Sequence, residues 1–196
     1  MASVAQPHSQ APRRREPEAF LSGSGEMGAL IRAYDWASSP LGTPARWPAG
    51  LKIALRLLIS SQHPMLIWWR PELIQFYNDA YGGLIGPENH PAALGRRGAE
   101  FWSEVWDVIG PQVDYVMAGR GGTWRENQMI PVTRNGGTDE AYWTYSYSPI
   151  DEGGESGGVG GVLVICAETT ASICAQNALR RCQRRHEFRI ALSNLI

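Results

Sequence analysis

The 196-residue sequence predicts an α+β domain: a five-stranded antiparallel sheet with helices on one face, an N-terminal helix before it and a C-terminal connector helix after it. Three observations carry that expectation. Two apolar, aromatic-rich runs, Met65 to Trp69 and Leu73 to Tyr77, are separated only by Arg70-Pro71-Glu72, the pattern of a tight hairpin. After residue 80 the apolar spacing is helical as far as about residue 118, and from Thr123 onward it turns extended and then alternates. The extended part is cut by two turn signals, Arg134-Asn135-Gly136-Gly137 and the Gly-rich 151–158, which divide it into three strands. Two strands, helices, then three strands is the order of an antiparallel sheet with its helices inserted in the middle.

Composition sets the bounds. Hydrophobic residues make up 43% of the chain and 8 residues are Trp, enough for a core built from large flat side chains. A net charge of -1 gives no field for nucleic acid or for a membrane surface. The sequence has no apolar run of spanning length and no secretory leader pattern at its start, so the expectation is a cytoplasmic chain. Its three Cys, at 166, 174 and 182, suit a reducing compartment better than a disulfide framework.

Residues 1–25 are rich in Pro, Gln, Ser and Arg and are expected to form a disordered tail, because they bring too little apolar surface to offset the entropy of ordering. Residues 26–170 form the predicted domain. Met27 to Ile31 is a short apolar run, and Pro40 to Pro44 is a turn. Ala49 to Ser61 places Leu51, Leu55, Leu58 and Ile59 on one helical face, with Pro48 at its first turn. Asn78-Asp79 closes the second strand and opens a helix over Ala80 to Ile85, which Gly86-Pro87 ends. Glu88 to Ala99 reads as a loop. Gly110-Pro111 marks a break before a helix over Gln112 to Ala118, with Val113, Val116 and Met117 on one face. Thr123 to Thr133, Ala141 to Ile150 and Val159 to Ala167 are the last three strands, and the second of these puts Trp143, Tyr145 and Tyr147 on one face. Residues 171–196 read as a connector helix that ends without a cap, as a chain truncated before a further domain would.

Several of these segments together resemble a PAS domain, in particular the N-terminal sensory module of bacterial multidomain sensor histidine kinases. The resemblance is carried by Met27-Gly28-Ala29-Leu30 with Asp35-Trp36, Ser39-Pro40-Leu41-Gly42, Trp47-Pro48 and Tyr77-Asn78-Asp79-Ala80-Tyr81. Ala93-Leu94-Gly95-Arg96, Ser146-Tyr147-Ser148-Pro149 and Glu168-Thr169-Thr170 continue it in the same order, over about residues 26–190. It implies a PAS fold and a homodimeric sensory module. It also implies relay of a signal through Glu168, Thr169 and Thr170 into the connector helix, towards a downstream kinase or another sensory domain.

A ligand pocket, where such a domain has one, is apolar with a few fixed polar groups. The candidates here are Trp68, Tyr77, Asn78, Tyr81, Trp102, Trp106, Trp124, Trp143 and Tyr145, with Tyr147 beside them and Glu126 and Asn127 as further polar anchors. Composition favours these aromatics as core filling over a pocket, and strand alternation alone leaves open which set faces inward. No cofactor is predicted; an unknown small organic ligand is the alternative. Flavin photochemistry of the light-oxygen-voltage type needs an Asn-Cys-Arg motif that the helix after the second strand lacks, and the helix at 112–118 has no His for a haem. His and Cys nowhere take metal-ligand spacing, so no metal site is expected. Gly153 to Gly161 has no Lys-Ser/Thr and precedes a strand, which excludes a phosphate-binding P-loop.

His186-Glu187-Phe188-Arg189 resembles the start of a histidine-kinase phosphoacceptor box, but Ile190-Ala191 stand where Thr or Asn and then Pro usually follow. The sequence offers no nucleophile–base pair and no spaced pair of carboxylates, so catalytic residues are expected to be absent and the module to be regulatory. Two alternatives stand beside it: a fragment carrying a phosphoacceptor at His186, and a ligand-free dimerisation scaffold.

Overall fold

The computed structural model describes residues 19–21, 25–70, 72–134, 136–153 and 157–193. Its helices are α1 (Glu26–Ala33), α2 (Ala49–Ser60), α3 (Asp79–Ile85), α4 (Gly98–Phe101), α5 (Trp106–Met117) and α6 (Thr170–Ser193). Its strands are β1 (Met65–Trp69), β2 (Ile74–Tyr77), β3 (Thr123–Met129), β4 (Val132–Arg134), β5 (Gly137–Asp139), β6 (Tyr142–Asp151) and β7 (Val159–Glu168). Five of the strands form one antiparallel sheet in the order β2-β1-β7-β6-β3. This is the α+β architecture that the PAS resemblance implies.

The sheet has two differently covered faces. Trp68, Val162, Val164, Cys166, Tyr145 and Tyr147 alternate with their strand neighbours onto one face, over which α5 crosses β6 and β7. Ile67 and Phe76, paired across β1 and β2, point the other way. There Trp36 stacks on Phe76 at 4.8 Å and Trp47 meets it edge-on at 5.4 Å. The N-terminal segment that leads into α2 therefore adds a layer behind β1 and β2, which is why every residue of those two strands is buried. Gly50 makes part of this contact possible: its N–H donates to Glu152 O, and a Cβ there would lie 1.8 Å from Asp151 O.

Four expectations need correction. The disordered tail over 1–25 lies mostly outside the described residues, but Ala19–Leu21 is a 3-10 turn in which Leu21 is fully buried in the core and Phe20 packs against it. Strand β2 begins at Ile74 because Leu73 takes a left-handed φ of 54° in the turn. Helix α5 starts at Trp106 and runs through Pro111, since Ile109, Val113 and Val116 form one buried face that outweighs the single backbone bond lost at the proline. The strand expected over 123–133 divides at Ile130-Pro131. Pro131 has no N–H for the ladder, and beyond it β4 leaves the sheet to pair with β5 as a separate hairpin.

The connector helix extends from Thr170, and its residues from Cys174 to Ile190 are exposed. Among the described residues no helix is long and apolar enough to cross a membrane.

Candidate functional site

Between the inner face of the sheet and α3 and α5 lies a cavity of about 80 Å³. Strands β1, β6 and β7 contribute Trp68, Trp143, Tyr145, Tyr147 and Cys166 to its wall, and the helical side contributes Tyr81 and Trp102. Ile130, Pro131 and Val132 close it from the side of the separate hairpin. The cavity is small. It is roughly half the ~150 Å³ of an apolar cavity that admits benzene, and far below the ~300 Å³ at which drug-sized pockets begin.

Five of the nine predicted pocket residues meet here: Trp68, Tyr81, Trp102, Trp143 and Tyr145, joined by Tyr147. Gln75, fully buried, fixes two of them, because its Oε1 accepts from the indoles of Trp68 (3.3 Å) and Trp102 (3.0 Å). Its amide nitrogen donates to Ala93 O at 2.7 Å. The Trp143 indole donates to Ile130 O at 3.0 Å, tying β6 to the segment that walls the cavity. Tyr145 Oη accepts from Gln112 Nε2 at 2.8 Å.

The other four lie elsewhere. Tyr77 is fully buried, but its hydroxyl is engaged with His90 Nδ1 at 3.1 Å. Trp106 packs edge-on behind Trp68, 5.8 Å between ring centroids. Trp124 pairs with Ser146, one residue out of phase with Tyr145 and Tyr147, so it projects from the opposite face and is 60% exposed. Asn78 is a structural clamp. Its Oδ1 accepts from Met65 N (3.0 Å) and Tyr81 N (3.1 Å), and its Nδ2 donates to the carbonyls of Leu58 (3.2 Å), Ser61 (3.1 Å) and His63 (2.7 Å). Of the two further polar anchors, Glu126 is exposed and Asn127 sits in a β-bulge at φ 51°, its N–H donating to Thr144 Oγ1.

The wall's protic groups are held neutral. Burial, and after it the neighbouring Cys166, Tyr147 and Tyr77, keeps the Tyr81 phenol well above its usual range. Burial does the same for Tyr147, with Tyr145 and Cys166 adding to it. Burial also pushes the Cys166 thiol up to about 12, so it is a poor nucleophile.

The sequence places a hairpin turn at 134–137 but does not disclose that β4 and β5 stand apart from the main sheet or what Arg134 does. Arg134, at its tip, holds Glu168 with two bonds, 2.8 Å to Oε2 and 2.9 Å to Oε1, and reaches Asp139 at 3.3 Å. Bonding from Arg134 keeps the Glu168 carboxyl below the usual carboxylate range. Glu168 is the last residue of β7. Thr169 N donates to Tyr142 O at 2.7 Å, Thr170 Oγ1 accepts from Tyr142 N at 2.9 Å, and α6 begins there. The three predicted relay residues thus lie at the junction of sheet and connector helix, one ion pair away from the cavity wall. The signal in the sequence was the Arg-Asn-Gly-Gly turn, which identifies a hairpin but not what its arginine grips. His186 is exposed on α6, and among the described residues no group of His, Cys, Asp and Glu has the geometry to hold a metal ion.

No protein-family model matches the sequence, and no curated protein matches it. Among solved structures, the chain is similar to a sensory box sensor histidine kinase from Vibrio cholerae, at 13% identity over 55% of this chain and 82% of that one, with a TM-score of 0.40. It is similar to a PAS domain from Colwellia psychrerythraea at 16% identity over 62% of this chain and 98% of that one, TM-score 0.42. It is also similar to the PAS domain of BvgS from Bordetella pertussis at 15% identity over 68% of this chain and 97% of that one, TM-score 0.40.

Proposed function

We propose that this chain is a cytoplasmic, homodimeric PAS sensory module. In this reading it turns a change in its aromatic cavity into a change at the root of α6, and through α6 acts on a downstream histidine kinase. The observation that carries the reading is the Arg134–Glu168 pair. The same short hairpin segment walls the cavity with Ile130, Pro131 and Val132 and grips the residue that precedes the connector helix. A ligand or partner that moves the hairpin alters that grip, and a signal acts only through such a difference between two states. The exposed apolar side chains of Leu179 and Phe188 on α6, 61% and 66% exposed, support a helix that packs against a second copy or against the output domain.

The test places the chain upstream of a histidine-kinase core and measures autophosphorylation by radiolabel transfer. Arg134→Ala should shift the rate at least about threefold in either direction. A rate unchanged by both Arg134→Ala and Glu168→Gln would sink the relay.

A further inference from the structure

The cavity wall is apolar apart from the hydroxyls of Tyr81, Tyr145 and Tyr147, the Cys166 thiol and the indoles of Trp68, Trp102 and Trp143. Its lining contains no Asp, Glu, Lys, Arg or His. The three indoles are committed, Trp68 and Trp102 to Gln75 and Trp143 to Ile130 O. The Tyr145 oxygen is engaged by the Gln112 amide. Tyr81 and Tyr147, 9% and 3% exposed, make no hydrogen bond to any described residue. Cys166, in the same lining, is a buried thiol. A phenol is a good donor and a poor acceptor, because its oxygen lone pair is delocalised into the ring. The phenols of Tyr81 and Tyr147 line the cavity and are not among the sealed, unpartnered polar atoms of the described residues, so whatever occupies the cavity is their hydrogen-bond partner, and a molecule that supplies an acceptor suits them best.

We propose that the cavity takes a compact, uncharged molecule bearing a hydrogen-bond acceptor such as a carbonyl oxygen, held by the hydroxyls of Tyr81 and Tyr147. Charge is selected against: a carboxylate would be stripped of water with no cation among the lining residues to meet it. A hydrocarbon of the same shape fits the apolar walls but leaves the hydroxyls unpaired. The volume of about 80 Å³ sets the scale below benzene, on the order of five heavy atoms. The proposal rests on the reading of this cavity as the sensing site.

Three probes of nearly equal size separate the possibilities: cyclobutanone, methylenecyclobutane, in which a CH₂ replaces the carbonyl oxygen, and cyclopropanecarboxylate. Each is titrated into the ¹⁵N-labelled chain while the indole N–H resonances of Trp68, Trp102 and Trp143 are followed. Cyclobutanone should give saturable shifts, the alkene should bind about fivefold more weakly, and the carboxylate should give none. Tyr81→Phe and Tyr147→Phe should each weaken the ketone about fivefold and leave the alkene unchanged. Equal binding of ketone and alkene, tighter binding of the carboxylate, or no saturable binding by any probe would each overturn the proposal, the last meaning that water alone fills the space. These outcomes are separable from failure of the relay, which is read in the kinase fusion through Arg134→Ala without any ligand.

Discussion

Asn78 and the tyrosine-lined cavity treat polar side chains in opposite ways. Asn78 is 2% exposed and every polar atom of its amide is used, with five hydrogen bonds joining the end of α2, the start of β1 and the first turn of α3. Tyr81 lies in that same first turn of α3, yet its phenol and that of Tyr147 line the cavity and take no part in such a network. A polar group satisfied from several elements fixes the fold. One left open at a cavity is a place where something else can complete it.

The largest expected effect comes from breaking the satisfied side of this comparison. Asn78→Ala leaves three carbonyls and two N–H groups to find new partners, and it removes the cap of α3. Unfolding in denaturant should show a loss of about 3–5 kcal/mol. A loss under about 1 kcal/mol would mean that water replaces the amide and that the clamp is not structural.

The two regions also differ in how much of them the sequence discloses. Asn78 as a helix cap is legible, because Asn at the end of a strand before a helical run has one strong local meaning. Its bonds back to Leu58, Ser61 and His63 are not, since they depend on where α2 ends in space. Trp143, Tyr145 and Tyr147 do share a face, as their alternation predicts, and that face lines the cavity. Trp124 was misplaced because its phase is set by pairing with Ser146, which no pattern within β3 reveals. Pro111 marks a break by local rules and is overridden by the buried face of α5. The hairpin that closes the cavity was the least legible part, because its role comes from Arg134 reaching a residue 34 positions away.

A middle-sized effect tests the link between the two regions, the Arg134–Glu168 pair. The folded-state pKa of Glu168 lies below its usual value, so the pair's contribution is fully present above the unfolded value, near pH 4.3, and is lost as pH falls through the folded value. Hydrogen exchange at the amides of residues 168–172, corrected for intrinsic rates, should therefore stay slow down to about pH 4 and rise only below it. Glu168→Gln should bring the faster exchange to neutral pH. Exchange at this junction that is the same in both proteins at pH 7 would show that the ion pair does not hold the root of α6.

The smallest expected effect is the most informative about the cavity. Replacing a buried tyrosine by phenylalanine ordinarily costs about 1 kcal/mol, because the hydroxyl's hydrogen bond is lost. Tyr81→Phe and Tyr147→Phe break no hydrogen bond to a described residue and keep nearly the same volume. Each should therefore change the stability of the ligand-free protein by no more than about 0.5 kcal/mol, with a gain as acceptable as a loss. Tyr145→Phe is the internal control, since it removes the shorter of the two bonds made by Gln112 Nε2 and leaves only that to Val108 O, and it should cost about 1–2 kcal/mol in the same denaturant titration. If all three variants lost stability equally, Tyr81 and Tyr147 would be as satisfied as Tyr145 and the contrast with Asn78 would disappear. If only Tyr145→Phe does, the cavity holds two hydroxyls that folding does not need and that are free to serve whatever enters it.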